Sequence, residues 1–189
     1  AQNTLSIQAV EVGTNTDFDL NISLQNQDNI AALQFDINYS ATAFALLSGH
    51  ELTATAPNHT FAVSTPSAGI IRVIIYSASN AVINSGSGLL VRLKMKSKTL
   101  PGTFGFSFTN AVASSASSAT LTISGTNQNV VVNGPILTLL TTDINFGRIP
   151  IGANTTRQVA VKNTGNLPLV LSENNAIAPF TIVDSYPVS

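Results

Sequence analysis

The chain has 189 residues, a formal net charge of −1, 44% hydrophobic residues and only 9% charged ones. So small and even a charge balance gives no field to attract nucleic acid, and no block of like charges forms a tail. The absence of Cys excludes disulfides, zinc-thiolate sites and a thiol nucleophile, and no run of about 18 apolar residues is present to span a bilayer as a helix.

Charged residues make up about 25% of ordinary soluble proteins; here Ser, Thr, Asn and Gln take their place. That profile is expected of a secreted or cell-surface protein of bacterial origin. The opening Ala1-Gln2-Asn3, without Met, suits a mature terminus left by signal-peptide cleavage.

Period-two alternation recurs along the chain, and no window carries an i, i+3, i+4, i+7 stripe of helical length. Strands are predicted over residues 4–10, 17–25, 30–39, 60–64, 70–77, 89–97, 103–109, 119–124 and 129–133. Turn formers separate them, as in Val12-Gly13-Thr14-Asn15, Asn26-Gln27-Asp28-Asn29 and Pro66-Ser67-Ala68-Gly69. Many short strands at this spacing predict a sandwich or barrel. Phe18, Leu20, Ile22 and Leu24 should face the core, as should Leu33, Phe35, Ile37 and Tyr39, leaving Ala32, Gln34, Asp36 and Asn38 outward. Phe104, Phe106 and Phe108, at period two, are read as core rather than as a sugar-stacking strip.

Near Asn133-Gly134-Pro135 the pattern changes, and a boundary is placed there: residues 1–135 form one domain and 136–189 the start of another. Strands are predicted at 137–146, 156–163 and 167–171, with a tight turn at Thr164-Gly165-Asn166 and a fourth strand opening at Ala178-Pro179-Phe180. An Ig-like sandwich needs about 100 residues, so the second unit is expected to be cut short.

The run Ile30-Ala31-Ala32-Leu33-Gln34-Phe35-Asp36-Ile37-Asn38-Tyr39 resembles the third strand of the cohesin family, of the form I-A-x-x-x-F-x-x-x-Y. Gly69-Ile70-Ile71-Arg72-Val73-Ile74-Ile75-Tyr76 is similar to its sixth strand, Gly88-Leu89-Leu90-Val91-Arg92-Leu93-Lys94-Met95-Lys96 to its eighth, and Val132-Asn133-Gly134 to its ending. The resemblance spans about residues 4–134. It implies a nine-stranded jelly-roll sandwich that docks a calcium-loaded dockerin helix pair on one flat sheet face. The acidic or amide positions of that face fall on Ala32, Gln34 and Ser77, so the negative charges that meet a dockerin's basic residues are missing. In the tail, Ile144-Asn145-Phe146-Gly147-Arg148-Ile149-Pro150-Ile151-Gly152 followed by Val159-Ala160-Val161-Lys162-Asn163-Thr164-Gly165 resembles the Hydin or major-sperm-protein type of immunoglobulin repeat, a spacer or interaction domain.

Enzyme chemistry is poorly supplied by nine carboxylates and two His. Asp17 and Asp19 share an outward face, where they read as solvated; His50 and His59 sit in loop-rich sequence without metal-ligand spacing. No cofactor is expected, and the scattered Asp and Asn leave a structural calcium unsupported. Gly86-Ser87-Gly88 reads as a turn, not a phosphate loop. The sequons at Asn21, Asn38, Asn58 and Asn154 are attributed to chance in an Asn-, Ser- and Thr-rich chain. Arg92, Lys94, Lys96 and Lys98, half of the basic residues, make one outward stripe, read either as edge-strand protection or as a charged rim on a docking face. Strand 70–77 is apolar on both faces around Arg72, as expected of a strand that is covered by a loop or offers a patch to a partner.

The expected function is therefore a non-catalytic protein-binding module with a dockerin-like partner, without nucleic acid and without a membrane span. Its anchors are expected from Ile71, Val73 and Ile75, or from the alternates Ile70, Ile74 and Tyr76. Gln34, Asp36, Ser77, Arg92, Lys94 and Lys96 should supply polar contacts and steering. The alternatives are a carbohydrate-binding module, which would show a row of exposed aromatics although the chain has no Trp and only Tyr39, Tyr76 and Tyr186 as tyrosines, and a structural spacer.

Overall fold

The alternation of branched or aromatic residues with short polar ones favours pleated, half-buried strands. The computed structural model, which describes residues 2–171 and 178–183, is built of them. They are β1 (Asn3–Ile7), β2 (Val10–Gly13), β3 (Asp17–Asn26), β4 (Ala32–Asn38), β5 (Phe44–Leu46), β6 (Glu51–Leu52), β7 (Thr60–Ser67), β8 (Ile70–Tyr76), β9 (Gly86–Ser97), β10 (Gly102–Ser114), β11 (Thr120–Leu121), β12 (Ile123–Thr126), β13 (Gln128–Asn133), β14 (Leu137–Leu139) and β15 (Val161–Asn163). Among the described residues there is no helix, hence none long and apolar enough to cross a membrane.

A six-stranded sheet runs β12-β1-β3-β9-β5, with β6 also on β9, and a seven-stranded sheet runs β2-β13-β10-β4-β8-β7, with β11 on β10. Their inner faces close on one core. Leu5, Leu20, Ile22, Leu93 and Met95 enter it from the first sheet; Phe35, Ile37, Ile71, Val73, Ile75, Phe106 and Val130 enter from the second, and all are fully buried. Each such side chain contributes roughly 1.5–3 kcal/mol of transfer free energy. The predicted inward sets on β3 and β4 are observed, Phe106 is fully buried, and Phe104 and Phe108 pack against the same cluster. This is the all-β jelly-roll sandwich expected.

Each strand predicted up to Asn133 is present, but two are divided between the sheets. Residues 4–10 break after Ile7, so that β1 pairs with β3 while β2 pairs in parallel with β13. Residues 119–124 divide in the same way, β11 pairing with β10 and β12 with β1. A chain that changes sheets at the sandwich edge closes a corner and shortens the exposed edge. Gly125 fits this corner because a Cβ there would collide with the Phe108 side chain. Beside the same corner the buried Asn3 accepts bonds from the Gln27 and Asp28 amides and donates to Asp28 and the Thr122 carbonyl, so its burial leaves no polar group orphaned. The short β5 and β6 were not foreseen.

Beyond Asn133 the strands expected over 137–146 and 156–163 pair only at Leu137–Leu139 and Val161–Asn163, and the described residues of 167–171 and 178–183 form no strand. The predicted Thr164-Gly165-Asn166 turn is present. Asn163 Oδ1 accepts from the Gly165 amide at 3.0 Å, and Asn166 Oδ1 accepts from the Gly134 amide at 2.8 Å. Gly165 lies so close to residues 134–136 that a side chain there would strike their backbone.

Candidate functional site

The register of β8 decides which of its residues a partner can reach. Val73 pairs with Phe35 and Val63, which puts it inside with Ile71 and Ile75; all three are fully buried. They cannot serve as contact residues; of the alternates, Ile74 and Tyr76 reach the surface. Ile74 is 37% and Tyr76 45% exposed. Arg72 carried the signal in the sequence, since a lone cation marks the outward parity of an otherwise apolar strand and leaves the odd-numbered positions to the core.

Outward side chains form rows across the seven-stranded sheet. Ala62, Ile74, Gln34 and Val112 make one, from β7 through β8 and β4 to β10; Thr60, Tyr76, Ala32 and Ser114 make the next. Val112 is 53% exposed, so Ile74, Tyr76 and Val112 surround Gln34 with apolar surface on a flat face. Ser77 stands just past the strand, its hydroxyl donating to the Asn58 carbonyl and accepting from the Ala81 amide.

The next row, Ser64, Arg72, Asp36 and Thr109, contains the face's ion pair. Asp36 points outward as expected, yet it is buried beneath its partners and cannot be a contact residue. Arg72 Nε and Nη2 each donate to it at 2.7 Å, and Asn110 Nδ2 donates at 2.8 Å. A bulge in β10 between Thr109 and Val112, with Asn110 in the left-handed region at φ 51°, aims that amide. The Arg72 bond, outweighing burial and joined by Asn110, holds the Asp36 carboxyl below its ordinary range. The resulting stabilisation is complete above the ordinary carboxylate pKa and is lost as pH falls through the depressed one.

Arg92, Lys94 and Lys96 do not join this face. They lie on β9, in the other sheet, where β3 and β6 supply opposite charges: Arg92 meets Glu51 at 2.6 Å, Lys94 meets Asp19 at 2.7 Å and Lys96 meets Asp17 at 3.6 Å. Alternation in a sequence tells which side chains point out but not from which sheet, and the stripe lies neither on the face of β8 nor on a bare edge. Such exposed pairs contribute little stability individually. Beside them His50 Nδ1 accepts from the Lys94 backbone amide at 3.1 Å, so the ring is neutral there, and burial pushes its pKa down. Because the unfolded chain then binds the proton more readily, stability should fall as pH drops from about 7 to about 5. Urea melts of the wild type should show this slope, and His50→Asn, whose amide oxygen can accept the same bond, should flatten it; an unchanged slope would assign it to another group.

No group of three or more His, Asp and Glu side chains among the described residues is placed to hold a metal. Of the tyrosines, Tyr39 stacks on Phe106 with ring centroids 5.9 Å apart and Tyr76 stands alone on its face, while Tyr186 lies outside the described residues. No row of exposed rings crosses the sandwich among the described residues.

Residues 3–132 match the family model described as Cohesin domain. Among solved structures, a non-cellulosomal cohesin from the hyperthermophilic archaeon Archaeoglobus fulgidus aligns with a TM-score of 0.61 at 16% identity, covering 71% of this chain and 93% of its own. The sixth cohesin of scaffoldin B from Acetivibrio cellulolyticus, solved in complex with a Cel5 dockerin mutant, aligns at 0.61 and 18%, covering 70% of this chain and all 100% of its own. A type I cohesin–dockerin complex from Clostridium thermocellum, Coh-OlpA with Doc918, aligns at 0.61 and 16%, covering 70% and 99%. No curated protein matches the sequence. At these identities the structural likenesses show the fold alone.

Proposed function

The chain belongs to the cohesin family, and from that premise we propose that it is a non-catalytic, extracellular protein-binding module that captures a dockerin-type partner on the outer face of β4 and β8, within a larger secreted or cell-surface assembly. The observation that carries this reading is the cluster of Ile74, Tyr76 and Val112 around Gln34 on a flat, uncovered sheet face. A solvated sheet face ordinarily alternates to polar side chains, and a contiguous apolar patch rimmed by polar groups is the usual mark of an interaction surface. The similar structures solved with dockerins support the class of partner. The low charge content supports the extracellular setting, and the β14–β15 pair with its Asn163-anchored turn supports an Ig-type spacer over residues 136–189. Sugar binding is disfavoured by the solitary Tyr76.

The test is capture. Immobilised full-length chain, incubated with the secreted and surface fractions of its source organism with and without calcium, is expected to retain, only with calcium, a protein bearing duplicated loop–helix motifs. Retention of polysaccharide and no protein would overturn the reading.

A further inference from the structure

Resting on the docking face just proposed, a narrower question is what chemistry a partner must bring to it. The row beside the apolar patch holds two charges, and they are not equally available. Both oxygens of Asp36 are occupied, Oδ1 by Arg72 Nε and Oδ2 by Arg72 Nη2 and Asn110 Nδ2, and the carboxylate side chain is only 2% exposed. The Arg72 side chain is 35% exposed, and its Nη1 has no hydrogen-bond partner among the described residues. A guanidinium carries five N–H donors and no acceptor. The pair as a whole is neutral, but what it offers to solvent is donors only.

Spacing links these donors to the apolar patch. Arg72, Ile74 and Tyr76 are successive outward residues of one strand, about 6.7 Å apart at the usual rise. Residues four apart on a helix advance about 6 Å along its axis and share one face, so a helix lying along β8 can set one side chain on each of the three.

We infer that the partner places a hydrogen-bond acceptor, a carboxylate or a side-chain amide, against the Arg72 guanidinium, with apolar side chains about one and two turns away on Ile74 and Tyr76. A basic residue at the first position would meet a like charge with no free carboxylate to relieve it, so this face selects against the basic contact residues that an acidic docking face would select for. An acceptor there completes a charge-assisted bond in a setting the apolar neighbours help to dry.

The probe is a displayed library of a calcium-loaded two-helix dockerin domain, randomised at its exposed helix positions and selected against the full chain. Enriched clones should carry Glu, Asp, Gln or Asn followed by apolar residues at helical spacing. Arg72→Lys keeps a cation beside Asp36 but removes the planar spare donors; it should weaken acceptor-bearing clones about tenfold and leave their Ala variants unchanged. Enrichment of Lys or Arg, or equal binding of acceptor clones to wild type and Arg72→Lys, would overturn this inference alone, provided the clones are lost on Ile74→Asp. An empty selection, or clones indifferent to Ile74→Asp, would overturn the docking face and this inference with it.

Discussion

Phe44→Ala should destabilise the protein by about 3–5 kcal/mol, the largest loss expected from a single side chain here. Phe44 is 1% exposed and stands where rings from both sheets meet: its centroid is 5.9 Å from Phe18 on β3, 5.5 Å from Phe104 and 5.1 Å from Phe106 on β10, all at edge-to-face angles. Truncation leaves a void that three aromatic neighbours, each held by its own strand, cannot collapse to fill. Edge-to-face pairs are worth about 0.5–1.5 kcal/mol each beyond area burial, and they are lost together. Against a net stability of about 5–15 kcal/mol for a typical domain, the variant should unfold at a much lower urea concentration while keeping the wild-type slope. A shift worth under about 1 kcal/mol would mean that the two sheets are not held by this cluster.

The contrast between Phe44 and its surroundings shows what was legible in the sequence. Strict alternation in β3 and β4 announced both their faces, and Phe104, Phe106 and Phe108 were identifiable as core by period alone. The strand that carries Phe44 was not, because β5 has three residues and β6 two, too few to show a period. Residues 4–10 were read as one strand, yet the chain changes sheets after Ile7; the inward parity slips there from Leu5 and Ile7 to Val10 and Val12, a shift that the single-strand reading passed over. Alternation is blind to sheet identity and so misplaced Arg92, Lys94 and Lys96, and only the registers of β9 against β3 and β6 show them paired with Asp17, Asp19 and Glu51. Asp36 was rightly placed outward, but its burial depends on a cross-strand partner on β8 and a bulge in β10, neither of which a single strand's pattern contains. For β8 the pattern was ambiguous because both faces are apolar; the parity of Arg72 would have resolved it.

The second large effect concerns binding. Ile74 sits in the middle of the patch, between Ala62 and Gln34 across the sheet and between Arg72 and Tyr76 along the strand. An Asp there puts a charge where a partner's apolar side chain must dry the surface, and central apolar anchors of this kind cost about 2 kcal/mol or more when lost. The fold should survive, since Ile74 is partly exposed and the inward Val73 and Ile75 on either side are untouched. The measurement that tests the docking face most directly is therefore the affinity of the calcium-dependent partner for wild type, Ile74→Asp and, as a control on the opposite sheet, Lys94→Ala. The face assigned here predicts a loss of about 100-fold for Ile74→Asp with an unchanged circular-dichroism spectrum, and wild-type affinity for Lys94→Ala. Undiminished binding by a folded Ile74→Asp, or a loss confined to Lys94→Ala, would contradict it.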